Sequence, residues 1–323
     1  MDIIIITPER SSSRSGNNTT SLRWARILRA LGHAVRICHR YDGTHADLMI
    51  ALHAWRSAES IKSFRELHPD RLLIVALSGT DIYGYIDRDP VPVLHSLACA
   101  DYLVALSVLA SKRVPEQFRA KIRVVHQSAP AQRRVSPKGS GRVEVAVIGH
   151  LRGVKDPFRA AQAARLLPPS SQIRIVHLGA AETPRWAAMA KAEMRINPRY
   201  IWRGDRPRAD VRALLARARA MVLSSLTEGG ANVISEAAAA GVPVLATRID
   251  GSVGLLGRGY PGYFPVGDTA GLARLLSRIE SDPEYLKRLK RAITRRGYLF
   301  RPVRERAAWR ALIVEAAHSR IQA

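Results

Sequence analysis

Residues 220–246 leave this chain few ways to fold. Residues 220–223 are an apolar run closed by Ser224 and Ser225. A glycine turn follows at Gly229-Gly230, where a backbone can approach a ligand closely. Residues 232–240 are alanine-rich and favour helix, and Gly241 suits the left-handed position that ends one. Residues 242–246 read as the next strand. Strand, loop, helix, strand is the repeat of an α/β protein with a parallel sheet. A helix that begins beside a glycine turn offers unpaired N–H groups and the positive end of its dipole, which is an anion site. Glu228 stands in the turn and Glu236 on the helix; helical side chains tilt toward the N-terminus, so Glu236 reaches back toward the same place. Amides for phosphates beside carboxylates for vicinal hydroxyls suit a sugar diphosphate. The same residues also suit an ordinary βαβ turn with two solvated glutamates.

The alternation runs through the whole chain. In the first half, residues 3–6, 35–38, 48–52, 72–77, 102–106 and 122–125 read as strands. Residues 11–20 read as a polar loop, with Thr19 or Thr20 capping a helix that runs to Leu31. Strand, polar glycine loop and helix is the general form of a phosphate site, so Gly16, Asn17, Asn18 and Thr20 are candidates. No Gly-Lys-Ser/Thr follows, which excludes a P-loop. A helix is expected over residues 55–67. The continuously apolar strand at 72–77 runs into Ser78-Gly79-Thr80-Asp81. Ligands of open α/β sheets bind beyond the carboxyl ends of strands, so these four residues and His53 are candidates. His53 reads equally as a satisfied structural residue, and Asp81 as a turn cap.

Residues 130–142 read as a linker, rich in proline, glycine, serine and charge. The pattern restarts at 143–148 and enters a basic loop, Gly149 to Pro157, before a helix to Leu167. Strands follow at 173–178, 200–202, 220–223 and 263–266, and helices at 183–195, 209–218, 269–280, 283–296 and 302–321. Residues 247–262 read as a glycine-rich loop. The expected division is a first domain over 1–130, a second over 143–300, and a last helix over 301–323. That helix carries Trp309, Leu312, Ile313 and Ala316 back to the first domain.

A length of 323 residues is enough for two cores. No apolar run approaches the roughly 20 residues that span a bilayer, and no signal-peptide pattern opens the chain. Cys38 and Cys99 lack ligand or redox spacing and read as buried free thiols in a reducing compartment, so a cytoplasmic protein is expected. The net charge is +24, from 51 cations against 27 carboxylates. The cations are mostly arginine, spread along helices without interleaved aromatics, so no nucleic-acid partner is expected. A solvated arginine surface and a funnel for anionic substrates are the main readings, with peripheral membrane or nucleic-acid contact as a third. No carboxylate or histidine pair has metal-ligand spacing.

Thr227 to Val244, in which Glu228 and Glu236 enclose seven residues, resembles the donor motif of GT-B glycosyltransferases of the family 4 type. Gly149 to Lys155 resembles that family's basic phosphate loop, and Gly267-Asp268 its late Gly-Asp pair. The resemblance implies a GT-B fold: two Rossmann-like α/β domains with parallel sheets facing across a cleft. In the first half, Arg14-Ser15-Gly16-Asn17, Leu22-Arg23-Trp24-Ala25-Arg26, Ala51-Leu52-His53-Ala54, Leu77-Ser78-Gly79-Thr80-Asp81-Ile82-Tyr83 and Gln127-Ser128-Ala129 resemble the selenosugar synthases of selenoneine biosynthesis. That narrower likeness implies transfer of a sugar from a UDP-sugar, such as UDP-N-acetylglucosamine, to selenophosphate.

Carried over by position, the resemblance implies catalytic roles for Glu228, Lys155 and Arg152. Gly229, Gly230, Ala231, Asn232, Glu236 and His150 would bind the donor. Gly16, Asn17, Asn18, Thr20, His53, Ser78, Gly79, Thr80 and Asp81 would bind the acceptor. The substrates are small molecules, with no cofactor and no metal. One departure stands out: where the family commonly has arginine after the first glycine of the basic loop, this chain has His150, with Arg152 two residues on. Two other readings stay open: a family 4 enzyme acting on a glycan or lipid, and a basic binding protein without catalysis.

Overall fold

A computed structural model of the chain describes residues 1–8, 15–135 and 141–321. Ser11 to Arg14 of the expected first loop and residues 136–140 of the expected linker lie outside the described residues. The chain divides into two units. Unit 1 holds Met1–Ser128, Glu228–Asn232 and Pro302–Ala323; unit 2 holds Ala129–Thr227 and Val233–Arg301.

Unit 1 contains, in order, β1 (Asp2–Ile6), α1 (Gly16–Ala30), β2 (Ala34–Cys38), β3 (Leu48–Leu52), α2 (Ala58–Leu67), β4 (Leu72–Leu77), α3 (Ile86–Arg88), α4 (Pro90–Cys99), β5 (Tyr102–Ala105) and β6 (Ile122–Val124). The six strands form one parallel sheet in the order β2-β1-β3-β4-β5-β6. Side chains alternate across a strand, so the isoleucines of β1 serve two cores. Ile3 and Ile5 face Trp24 and Leu28, while Ile4 and Ile6 face Ile61, Phe64 and Leu97. A later helix, Pro302–Ile321, closes the first of these cores with Trp309, Leu312, Ile313 and Ala316. The Trp24 and Trp309 rings meet edge to face at 4.8 Å.

Unit 2 contains β7 (Val143–Ile148), α5 (Arg159–Arg165), β8 (Ile173–Leu178), α6 (Pro184–Ile196), β9 (Tyr200–Trp202), α7 (Arg208–Arg217), β10 (Ala220–Leu223), α8 (Asn232–Ala239), β11 (Val244–Thr247), α9 (Asp250–Leu256), β12 (Tyr263–Phe264), α10 (Thr269–Ser281) and α11 (Pro283–Gly297). The helix Pro302–Ile321 of unit 1 is α12. The second sheet is also parallel, in the order β12-β11-β10-β7-β8-β9. This is the doubly wound order whose ligand crevice opens where the strand order reverses, between β7 and β10.

Several sequence expectations need correction. Helix α1 starts at Gly16, capped by Ser15 and not by Thr19 or Thr20; Ser15 is extended and its hydroxyl accepts from the Asn18 amide. Gly16, Asn17, Asn18 and Thr20 are therefore helical residues. Helix α2 starts at Ala58, because residues after β3 turn at His53, where φ is +74°. Strand β11 starts at Val244, since Pro243 has no N–H and the Val242 amide is spent on Ala237 O. Helix α9 occupies part of the expected glycine-rich loop; burial of Ser252, Leu255 and Leu256 outweighs its glycines. The described linker residues are not free: the amides of Gln132 and Val135 donate to Ala239 O and Ala216 O. Cys38 and Cys99 are half-buried, and burial pushes both thiols up. Among the described residues, no helix is long and apolar enough to cross a membrane.

Candidate functional site

The reversal point of the second sheet holds a pocket. It is lined by the ends of β7 and β10, through Gly149, His150, Ser224 and Ser225, together with Lys155. The basic loop is tied to β10 from below. Ser224 Oγ donates to Lys155 O at 3.1 Å and Asp156 O at 2.9 Å, and the Leu226 amide donates to Val154 O. These bonds fold Gly153–Lys155 into a single tight turn, with Asp156 in the left-handed region at φ +44°. Asp156 pairs with Arg159 at 2.7 Å, and Arg159 reaches the Thr269 hydroxyl at the start of α10. Asp268 caps that helix through the Gly271 amide. The late Gly-Asp pair is thus a cap whose neighbour braces the basic loop.

The pocket unites His150 and Lys155. Arg152 is not among its lining residues; it is half-buried, and its Nε is buried without a hydrogen-bond partner. His150 Nδ1 accepts from the Ala180 amide at 3.0 Å, so the ring's other nitrogen carries its proton. Beneath lies His177, fully buried, whose Nε2–H donates to Gly149 O at 2.9 Å. Glu236 is half-buried on α8.

The segment Glu228–Asn232 belongs to unit 1. Neither glycine of the Gly229-Gly230 pair has a positive φ. Their lack of a side chain has another cause: a Cβ on Gly229 would stand 2.7 Å from the backbone of Gly79 and 2.8 Å from that of Ser78. Gly229 makes a close approach to the chain's own backbone. Asn232 is held by α1: its side-chain oxygen accepts from Arg23 Nη1 at 3.0 Å, and its amide nitrogen lies 3.3 Å from Thr20 Oγ1. Thr20 Oγ1 also donates to Gly16 O and accepts from Gln127 Nε2.

The other candidates of the first half meet at the carboxyl ends of β3 and β4. Asp81 is fully buried and accepts from four backbone amides, those of Ala54, Ser78, Gly79 and Ile82, at 2.7–3.1 Å. It joins the two turns. His53 Nδ1 accepts from the Arg56 amide, leaving Nε2–H to donate to Thr80 Oγ1 at 2.9 Å. Both side chains are committed to holding the turn that presents Ser78, Gly79 and Thr80. The sequence showed Arg23 and Gln127 only within stretches of resemblance, without a site role, and Glu305 was missed. The one signal for Glu305 was its spacing, four residues before Trp309 on the apolar stripe of the last helix.

A search of curated proteins finds no match. Solved structures match nearly the whole chain. The Anabaena protein HepE, crystallised with UDP and glucose, is 15% identical, with a TM-score of 0.77 over 98% of this chain and 100% of its own. Sucrose-phosphate synthase from Thermosynechococcus elongatus is 15% identical, with a TM-score of 0.80 over 98% of this chain and 99% of its own. The lipopolysaccharide outer core galactosyltransferase WaaB is also 15% identical, with a TM-score of 0.67 over 98% of this chain and 99% of its own. These likenesses establish the GT-B fold. The family model for glycosyl transferases group 1 matches residues 128–296, over half of the chain and nearly all of unit 2. This chain belongs to the group 1 glycosyl transferases.

Proposed function

We propose that the chain moves the sugar of a UDP-sugar, UDP-N-acetylglucosamine, onto selenophosphate, with the diphosphate received by unit 2 and the acceptor by unit 1. The observation that supports an anionic acceptor most directly is the state of His53 and Asp81. Both titratable side chains at the carboxyl ends of β3 and β4 are engaged in holding backbone and hydroxyl groups. An alcohol acceptor needs a base to take its proton. Selenophosphate is already an anionic nucleophile and needs positioning instead. Its selenium lone pair forms the bond to the anomeric carbon as the bond from that carbon to UDP breaks, with the electron pair leaving on the diphosphate. Water then cleaves the phosphorus–selenium bond, releasing phosphate and the selenosugar.

The donor assignment draws on the pocket between β7 and β10. Lys155 and His150 there meet charge arriving on the diphosphate, and Arg152 two residues along the loop adds to the field. Glu228 takes hydroxyls of the sugar and Glu236 the ribose, with Gly229, Gly230, Ala231 and Asn232 offering amides. That HepE was crystallised with UDP favours the same nucleotide here. No metal is called for, because the cations and amides supply the positive charge.

The purified chain is incubated with UDP-N-acetylglucosamine and selenophosphate, and products are read by mass spectrometry. Glu228→Ala and Lys155→Ala are each expected to lower turnover by about 10²–10³-fold, the usual loss of one stabilising donor. Near-normal rates in either folded variant would sink the donor assignment. A stacked pair, Trp55 over Tyr85 at 4.0 Å, favours a second reading with a sugar acceptor. Transfer to an added saccharide, with none to selenophosphate, would establish it.

A further inference from the structure

We propose that Arg23, locked by Glu305 of the last helix, is a positioning residue for the donor segment Glu228–Asn232. This rests on the sugar-transfer reading above.

Glu305 is buried, 1% exposed, in the middle of an apolar core. A carboxylate there needs a cation and a full set of donors. It accepts from Trp24 Nε1 at 2.8 Å, from the Ser128 amide at 2.9 Å and from Ser128 Oγ at 2.5 Å. Arg23 Nε lies 3.1 and 3.0 Å from its two oxygens. The ion pair is made by Nε alone, which bridges both carboxylate oxygens, while Nη2 is buried without a hydrogen-bond partner. The neighbouring Nη1 is thereby aimed at Asn232 Oδ1, 3.0 Å away.

Asn232 is the last residue of the segment that carries Glu228 and the glycine pair, and the residue at which α8 begins. At the segment's other end, Gly229 rests on the backbone of Ser78 and Gly79. The segment is pinned at both ends: by backbone packing at Gly229 and by a charge-assisted hydrogen bond at Asn232. Such bonds are about twice as strong as neutral ones. Lysine at 23 would keep a charge against Glu305, but an ammonium has no rigid fork to hold both partners at once. The arginine is therefore required by geometry as well as by charge.

The test uses the full chain in three variants: Arg23→Lys, Asn232→Ala and the double substitution. Arg23→Lys keeps a cation beside Glu305, and Asn232→Ala leaves the buried ion pair untouched, so one folded variant is secured even where the other fails. Amide hydrogen exchange is followed across residues 228–232, alongside kcat and KM for the UDP-sugar. Each single variant is expected to speed exchange in the segment and to lower kcat/KM by about tenfold, the low end for a hydrogen bond to a charged group. The loss in the double variant should fall short of the sum of the two single losses, because both remove the Arg23–Asn232 bond, although Asn232→Ala also gives up Thr20. Unchanged exchange at 228–232 in Arg23→Lys, or losses that simply add, overturn the proposal. A wild-type chain that binds no UDP and transfers no sugar refutes the function instead; the exchange measurement then still decides the role of Arg23.

Discussion

His177 couples the basic loop at Gly149 to pH through one proton. Its Nε2–H holds Gly149 O, and its Nδ1 accepts from the Tyr200 hydroxyl at 3.0 Å. In the neutral ring Nδ1 accepts from the phenol, and burial is what keeps the ring neutral. Burial lowers its pKa from 6.5 to about 4, and the nearby His150 adds to the effect. Burial also pushes the Tyr200 hydroxyl well up, so it remains a donor. Between these two values the unfolded chain binds more protons at this site than the folded one. Stability therefore falls as pH drops from 6.5 toward 4, and this group adds no further loss below that. The shift corresponds to about 2 kcal/mol between about pH 7 and about pH 5. Urea denaturation at the two pH values measures it. His177→Gln keeps a donor and an acceptor but cannot titrate, so its pH dependence should be flatter by about that amount. Identical pH dependence in the two chains would show that the ring is not the titrating group.

The five-residue segment Glu228–Asn232, proposed above to hold the donor, lies close against the backbone of unit 1, where a Cβ on Gly229 would stand 2.7 Å from Gly79. Side chains can swing away from an added methyl group, but the backbone of Ser78 and Gly79 cannot. Gly79 itself is at φ +125°, a conformation that holds the turn and that other residues rarely adopt. In Gly229→Ala the segment must shift, and Glu228 moves with it. A displacement near 1 Å costs about 10²-fold in rate, which is the expected fall in kcat/KM for the UDP-sugar. A folded Gly229→Ala chain with normal kcat/KM would mean that the segment is not held against Ser78 and Gly79 during turnover. This element also marks how far the sequence could be read. The strands were legible because β1, β3 and β4 are continuous apolar runs with both faces covered. Strand, glycine turn and helix at 220–239 were legible from local propensity, as was the left-handed Gly241 at φ +63°. The partner of Gly229 was not, because it is supplied by residues 78 and 79, far away in the chain. Nor was the commitment of Asp81 to four amides, since a buried carboxylate and a solvated one look alike in a sequence. Ser15 was passed over for Thr19 and Thr20 because the two asparagines after it are weak helix formers; the cap and the burial of Asn18 and Thr20 overcame that.

At the scale of the whole molecule, the excess of arginine has two uses. Some guanidinium groups are structural, because their forks satisfy several carbonyls at once. Arg65 bonds Cys99 O, Pro69 O and Arg71 O as well as Asp101. Arg134 takes Leu215 O and Ala218 O at the end of α7, and Arg296 takes Leu255 O at the end of α9. Many other cations face solvent, as along α11, where Lys287, Arg288, Lys290, Arg291 and Arg295 are exposed. With a net charge of +24, such a surface draws anions from beyond the reach of any single side chain. The range of that field is set by salt, with a Debye length of about 10 Å at 0.1 M falling to about 3 Å at 1 M. Raising salt from about 0.03 M to about 0.3 M should therefore slow UDP association by about tenfold, a change carried by the association rate and hardly at all by dissociation. Stopped-flow fluorescence with UDP measures the two rates, and uridine, which carries no phosphate, is the control. If both ligands respond equally to salt, the surface charge does not steer the donor, and the unpaired arginines serve only to keep the chain solvated.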